Sequence, residues 1–256
     1  MTDVRFSKAG HVAHIRLDRP AALNAITIAM DETLLAMWTE VNDDPDIFVV
    51  TLTAEGDRAF CAGADIKEDG RAASPIAVGG GITGIGGPLV EVRKPIVTGV
   101  QGLALGAGFE LAMCADIIVA STDAAFALPE AAAGIIGECG VVHRAIRQLP
   151  YRVALGMILT GSRMPASEAL QYGLVNEVVE RDALTESVER WCARLLAASP
   201  LAVQALKEAA TSALAVPLPT ALASRFAGIE HYLGTADHSE SRAAFAERRA
   251  PIWKGS

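Results

Sequence analysis

No stretch of this chain runs for the roughly 18 uncharged apolar residues that a membrane-crossing helix needs. The most apolar region, 95 to 120, is broken by Gln101, Glu110 and Asp116. The first residues, MTDVRFSKAGHVAHIRL, lack the continuous apolar core of a secretory signal. These absences predict a cytoplasmic protein with no membrane contact. Basic charge is scarce as well. Lys and Arg number 22 against 30 Asp and Glu, for a net charge of -8 and a pI near 5.2. That balance argues against a nucleic-acid surface, which needs clustered cations. The cysteines are Cys61, Cys114, Cys139 and Cys192, with no C-x-x-C pair among them. Without ligand-pair spacing or a secretion signal, they read as small buried hydrophobes, neither disulfides nor a zinc site.

Several catalytic signatures are missing. There is no G-x-x-x-x-G-K-[ST] to cradle a nucleotide phosphate and no G-x-S-x-G to raise a nucleophilic serine. Gly79-x-Gly81-x-x-Gly84 has the outline of a dinucleotide fingerprint. It follows no clear strand and opens no helix, so it reads as a surface loop. Of the five histidines, His11 and His14 fall on the first strand, HVAHIRL, His143 in a helical region, and His231 and His238 near the C-terminus. None stands beside a nucleophile.

What the chain does have is an alternation of strands and helices. HVAHIRL alternates apolar and polar residues as a strand does, and IFVVTLT is a β-branched run suited to a buried one. KPIVTGV and DIIVAS read the same way. Met30, Leu34, Trp38 and Val41 mark one face of a helix, and PASEALQYGLVNEVV reads as helix, glycine break and strand. From Ala183 the pattern is helical, with Leu184, Val188, Trp191, Leu195 and Leu196 in register and a break at AVPLPT. The expectation is an α/β core over 1–195 with a helical extension over 196–256.

The candidate chemistry is carried by acids. In GLALGAGFELAMCADIIVA, Glu110 follows Gly106 and Gly108 at the start of a helix within an otherwise apolar run. Glu130 in FALPEAAAG and Glu138 in IIGECG are also isolated acids among small residues. One acid at a helix start is ordinarily a partner for the helix dipole, worth ~0.3–1 kcal/mol. Two or three such acids, each in a small-residue loop within ~30 residues, make that ordinary reading considerably weaker.

At these residues the chain resembles the crotonase superfamily of enoyl-CoA hydratases and isomerases. HIRLDRPAALNAI, AFCAGADIK, KPIVTGVQGLALGAGFELAMCADIIVAS, FALPEAAAGII, LTGSRMPASEALQYGLVNEVV and AFAERRAPIWKG correspond to its successive blocks, nearly end to end. FALPEA, PLAVQALKE and the WKG ending resemble the carnitinyl-CoA dehydratase (crotonobetainyl-CoA hydratase) branch. The resemblance implies a crotonase fold, α/β, a repeated ββα spiral whose C-terminal helices pack between subunits of a homotrimer or dimer of trimers. It implies an acyl-CoA substrate, with no separate cofactor and no metal. It places an oxyanion hole at the backbone amides of Ala64 and Ala107, the latter often glycine in the family. Glutamates at the positions of Glu110 and Glu130 hold a water in the family's hydratases. On that basis Glu110 activates water and Glu130 protonates the α-carbon, with the roles exchanged in dehydration. An acid at 138 resembles dienoyl-CoA isomerases and 3-hydroxyisobutyryl-CoA hydrolases. It suits a cationic acyl tail such as a trimethylammonium, or equally a helix cap. Coenzyme A contacts are implied for Ala22, Leu23, Ala62, Asp65, Ile66, Lys67 and Gly106, with Lys254 a further phosphate partner. Residues 70 to 90 would wall the acyl pocket. Isomerase or hydrolase chemistry through Glu130 and Glu138 is an alternative, and a non-catalytic acyl-CoA-binding protein is another. The intact glutamate pair argues against the last.

Overall fold

The computed structural model describes residues 3–67, 90–136 and 140–256. Glu138, the fingerprint glycines and residues 70–89 of the expected pocket wall all lie outside them. The chain opens with a hairpin, β1 (Val4–Ala9) and β2 (Val12–Leu17), and continues into α1 (Ile28–Asp43) and β3 (Val49–Ala54). The alternating stretch read as the first strand is therefore the second. His11 sits in the turn before it, stacked on Phe48 at 4.1 Å between ring centroids. β1 is largely exposed beyond Val4, so it carries little hydrophobic pattern. Helix α1 begins where the Thr27 side chain accepts the Met30 amide, at 3.1 Å, and it buries Met30, Leu34, Trp38 and Val41 as its periodicity requires.

From β3 to β8 the chain deals its strands alternately to two sheets. β4 (Ala59–Cys61), β6 (Leu103–Leu105) and β8 (Ala125–Ala127) join a small sheet, while β5 (Ile96–Val100) and β7 (Ile117–Ser121) extend the large one. Helix α2 (Ala107–Met113) lies between β6 and β7. α3 (Val141–Gln148) and α4 (Tyr151–Thr160) precede β9 (Arg163–Pro165), α5 (Ala166–Gln171) and β10 (Glu177–Val179). The large sheet runs β1-β2-β3-β5-β7-β10, parallel except for the first hairpin. The small sheet runs β4-β6-β8-β9, parallel except for β9. This is the ββα spiral of the crotonase fold.

The large sheet is covered on both faces, as a parallel sheet must be. Val50, Leu52, Ile96 and Ile118 belong to the main core shared with α1 and α2. Val49, Val97 and Val119 face the other way, against Val188 and Cys192 of α6 (Leu184–Leu196). Helices α7 (Pro200–Ala213), α8 (Leu218–Ala223), α9 (Ala227–Tyr232) and α10 (Ala236–Glu247) complete the chain. Among the described residues no helix is long and apolar enough to cross a membrane.

One buried polar residue pins the loops that lead to the small sheet. The Asn24 amide donates to the carbonyls of Glu55 and Ala59 at 2.9 and 3.0 Å, and its oxygen accepts the Arg19 amide at 2.8 Å. Asn24 is fully buried and has a φ of 54°, a left-handed conformation that Asn tolerates better than most residues. Asn24→Ala strands those three backbone groups and adds strain. The expected loss is about 3 kcal/mol, read as a lower urea midpoint; an unchanged midpoint would contradict the role given to Asn24.

Candidate active site

β4, β6 and β8 run parallel, so the chain leaves all three at the same edge of the small sheet. The residues that follow them are 62–64, 106–107 and 128–130, which carry the positions singled out from the sequence. The exits are tied together. The Gly106 amide donates to the Ala127 carbonyl at 2.9 Å. A Cβ placed on Gly63 would stand 3.1 Å from the Leu105 carbonyl oxygen and 3.8 Å from the Ala107 amide nitrogen, which sets the 62–64 loop against the start of α2. The amides of Ala64 and Ala107 donate to no protein acceptor among the described residues.

Glu110 enters the site from α2, all seven residues of which are buried. It is 3 % exposed. The turn that launches α2 needs glycine at 106, where φ is 52° and where a Cβ would lie 2.6 Å from Glu130 Oε1. Glu130, from the loop after β8, thus lies across the bare backbone of Gly106, while Glu110 sits one turn into the helix that Gly106 opens. The sequence brings these two acids together, although they are 20 residues apart, because β6 and β8 are adjacent strands.

Their surroundings differ. Glu110 Oε1 accepts from Arg144 Nε of α3 at 3.2 Å, whereas Oε2 is buried with no hydrogen-bond partner among the described residues. Burial raises the Glu110 carboxyl to about 8; Arg144 opposes the rise and the Glu130 charge adds to it. Glu130 is also raised by burial, with a partly offsetting backbone hydrogen bond. A buried oxygen without a partner costs ~1–3 kcal/mol, a cost that a hydrogen bond to Oε2 would relieve. Beside Glu130 lies a cavity of about 130 Å³ lined otherwise by apolar side chains, among them Leu128, Ile135, Ile136 and Ile158. Arg144 was not legible as a site residue. VVHRAIRQ reads as an amphipathic helix with surface cations, and only its position shortly after the third acid distinguishes it.

The remaining sequence-derived positions divide. Ala22 and Leu23 form a short turn whose Leu23 carbonyl accepts the Ala62 amide at 3.0 Å, so these three are neighbours. Asp65 is engaged by Arg19 at 2.7 Å, an ion pair that holds the carboxylate below its ordinary pKa and fastens the two loops together. Ile66 and Lys67 are exposed just beyond. Lys254 is elsewhere. It lines a separate cavity of about 560 Å³ with Asp237, Glu240 and Arg249, beside α10 and the C-terminal tail. Among the described residues no group of three or more His, Cys, Asp or Glu is placed to hold a metal.

A family model for enoyl-CoA hydratase/isomerase matches residues 7–256. The chain belongs to that family. Carnitinyl-CoA dehydratase from Citrobacter koseri is 38 % identical over 258 residues, covering 98 % of each chain. The carnitinyl-CoA dehydratase of Proteus mirabilis is 40 % identical over 253 residues, covering 96 % of each. Among solved structures, a protein from Novosphingobium aromaticivorans assigned as a short chain enoyl-CoA hydratase superposes with a TM-score of 0.92 at 58 % identity, over 100 % of this chain and 99 % of that one. An enoyl-CoA hydratase from Mycobacterium tuberculosis does so at 0.90 and 32 % identity, over the full length of both. The crotonase fold expected of this hydratase/isomerase family member is thus confirmed over the described residues.

Proposed function

We propose that Glu110 and Glu130 are the acid–base pair of an enoyl-CoA hydratase/dehydratase. The chain is a carbon–oxygen lyase of the hydratase class, acting on acyl-CoA thioesters. The observation that carries the residue assignment is the buried Glu110 Oε2, without a hydrogen-bond partner among the described residues, on a carboxyl group close enough to Glu130 to be raised by its charge. In hydration, Glu110 as carboxylate takes a proton from water as the water oxygen bonds to the β-carbon. The π electrons move toward the thioester, and Glu130 delivers its proton to the α-carbon. Charge that develops on the thioester oxygen is met by the Ala64 and Ala107 amides, whose freedom from protein acceptors suits them to this role. The pair finishes with its proton on Glu110, and dehydration is the same path reversed.

Both directions therefore use forms of the pair that share a single proton. Burial raises Glu110 to about 8 and raises Glu130 as well, so the pair holds a proton to higher pH than ordinary glutamates do. Water addition moves no net proton, so kcat/KM must follow one bell-shaped pH profile in both directions, with limbs that belong to the pair. The expected profile falls above about pH 8 and has its acid limb above the ordinary glutamate value. A flat profile across that range contradicts the assignment.

The acyl chain is assigned to the crotonobetainyl-CoA/carnitinyl-CoA pair on the strength of the dehydratases at 38 % and 40 % identity. The subunits are assigned to a trimer or dimer of trimers formed through residues 196–256. Leu206, Leu214, Leu218, Leu222 and Phe245 support this, being between 64 % and 87 % exposed in the single chain. The deciding experiment follows ultraviolet loss of the conjugated thioester with crotonyl-CoA and with crotonobetainyl-CoA. Absorbance should fall with both, faster with the second. Binding without turnover of either would overturn the hydratase reading, and a faster rate with crotonyl-CoA would overturn the chain assignment.

A further inference from the structure

We propose that Arg144 is a positioning residue for the reaction. It holds one oxygen of the Glu110 carboxylate so that the other alone is presented to water. The inference rests on the hydratase reading above and adds to it a residue outside the acid–base pair. Three observations carry it. Arg144 Nε donates to Oε1 at 3.2 Å. Oε1 is also the oxygen that lies against the start of α3, where a Cβ on Gly140 would stand 3.0 Å away. Oε2, by contrast, is buried from solvent and has no hydrogen-bond partner among the described residues. A carboxylate free to rotate would exchange its two oxygens and spend time with neither directed at the water. A guanidinium fixed on an adjacent helix removes that freedom, and the remaining lone pairs become the acceptor for a single proton.

Exposure supports the assignment. Glu110 is 3 % exposed and the Arg144 side chain 22 %, so the cation stays partly hydrated while it reaches a buried anion. A purely structural ion pair gains little by burying its acid and leaving one oxygen unbonded, because desolvation offsets the attraction. The other groups that act on Glu110 do not substitute for the arginine. Glu130 and Asp31 of α1 both repel its charge, and the thiol of Cys114, which caps the end of α2, is kept neutral by burial, raised to about 12. Among the described residues only Arg144 opposes the cost of ionising Glu110.

The test uses Arg144→Met and Arg144→Lys in the full chain, each alone and combined with Glu110→Gln. Two readouts are taken: kcat and KM for crotonyl-CoA hydration against pH, and titration of carbon-13-labelled glutamate carboxyls, with Glu110→Gln assigning the signal. In Arg144→Met the Glu110 titration and the alkaline limb should both rise by at least about one pH unit. The value of kcat should fall at least ~10-fold with KM little changed, and Lys should restore part of the loss through charge without the guanidinium's geometry. On a Glu110→Gln background the Met substitution should cost nothing more. An unshifted Glu110 titration, or an equal rate loss in both backgrounds, would overturn the proposal and leave Arg144 as a structural contact. The carboxyl titration needs no turnover. A wild type that binds crotonyl-CoA without hydrating it would therefore sink the hydratase reading, while the titration still decides the Arg144 contact.

Discussion

Glu130→Gln is expected to lower water addition to crotonyl-CoA by roughly 10²–10⁴-fold, the range that a positioned general acid contributes. The amide keeps the size of the side chain and its seat over Gly106, but it cannot exchange a proton at any working pH. KM should change little, because the substrate's contact with this side chain is brief proton transfer, not anchorage. Glu110→Gln should cause a loss of similar size for a different reason: the water loses the group that deprotonates it. The two variants are separated by hydrogen exchange at the α-carbon of a saturated acyl-CoA in deuterium oxide. That exchange needs only a base at the α-carbon and donors for the enolate oxygen. Glu130→Gln should abolish it and Glu110→Gln should leave most of it. Equal loss in both would mean that the two acids do not divide the work in this way, and full exchange in Glu130→Gln would remove Glu130 from the α-carbon.

The elements that the sequence made legible are those with a long enough period. Four apolar residues in register gave α1, and the β-branched runs gave β3, β5 and β7, because a parallel strand covered on both faces has no polar side to display. The three-residue strands β4, β6 and β8 are another matter. A strand of that length shows no alternation, and LAL within GLALGAG reads only as part of an apolar run ahead of the helix. Yet these short strands create the site, since their common parallel direction delivers Ala64, Ala107, Glu110 and Glu130 to one edge. The acids were therefore visible as chemical anomalies before anything showed why they meet. Arg144 remained hidden for the opposite reason. A cation on an amphipathic helix is the commonest of surface patterns, and only a tertiary contact with α2 turns it toward a carboxylate. Lys254 shows the limit of reading by position, since within one chain it borders a cavity other than the glutamates'.

Gly108→Ala should be the most damaging single-methyl change in the site. A Cβ at 108 would stand 2.2 Å from the Cys61 carbonyl oxygen and 2.7 Å from two further Cys61 atoms. No rotamer change relieves this contact, because the carbonyl belongs to the end of β4, itself paired with β6. Either α2 lifts or β4 shifts, and in both cases the Ala64 and Ala107 amides move apart. Overpacking costs ~1–3 kcal/mol, and a backbone obstacle puts this site at the upper end. For a chain of this size that corresponds to a fall in Tm of roughly 6–12 °C. Activity should fall further than stability explains. Loss of one oxyanion donor costs ~2.7–4 kcal/mol of barrier, or about 10²–10³ in kcat, measured well below the melting range. Gly156→Ala is the matched control. It adds the same methyl to an exposed position on α4 with nothing within 4 Å. There the smaller conformational freedom of alanine in the unfolded chain should leave stability equal or raise it by ~0.4–1 kcal/mol, with activity intact. A Gly108→Ala protein with native Tm and full turnover would show that α2 is not seated on Cys61, and that the two amides are held by something other than this contact.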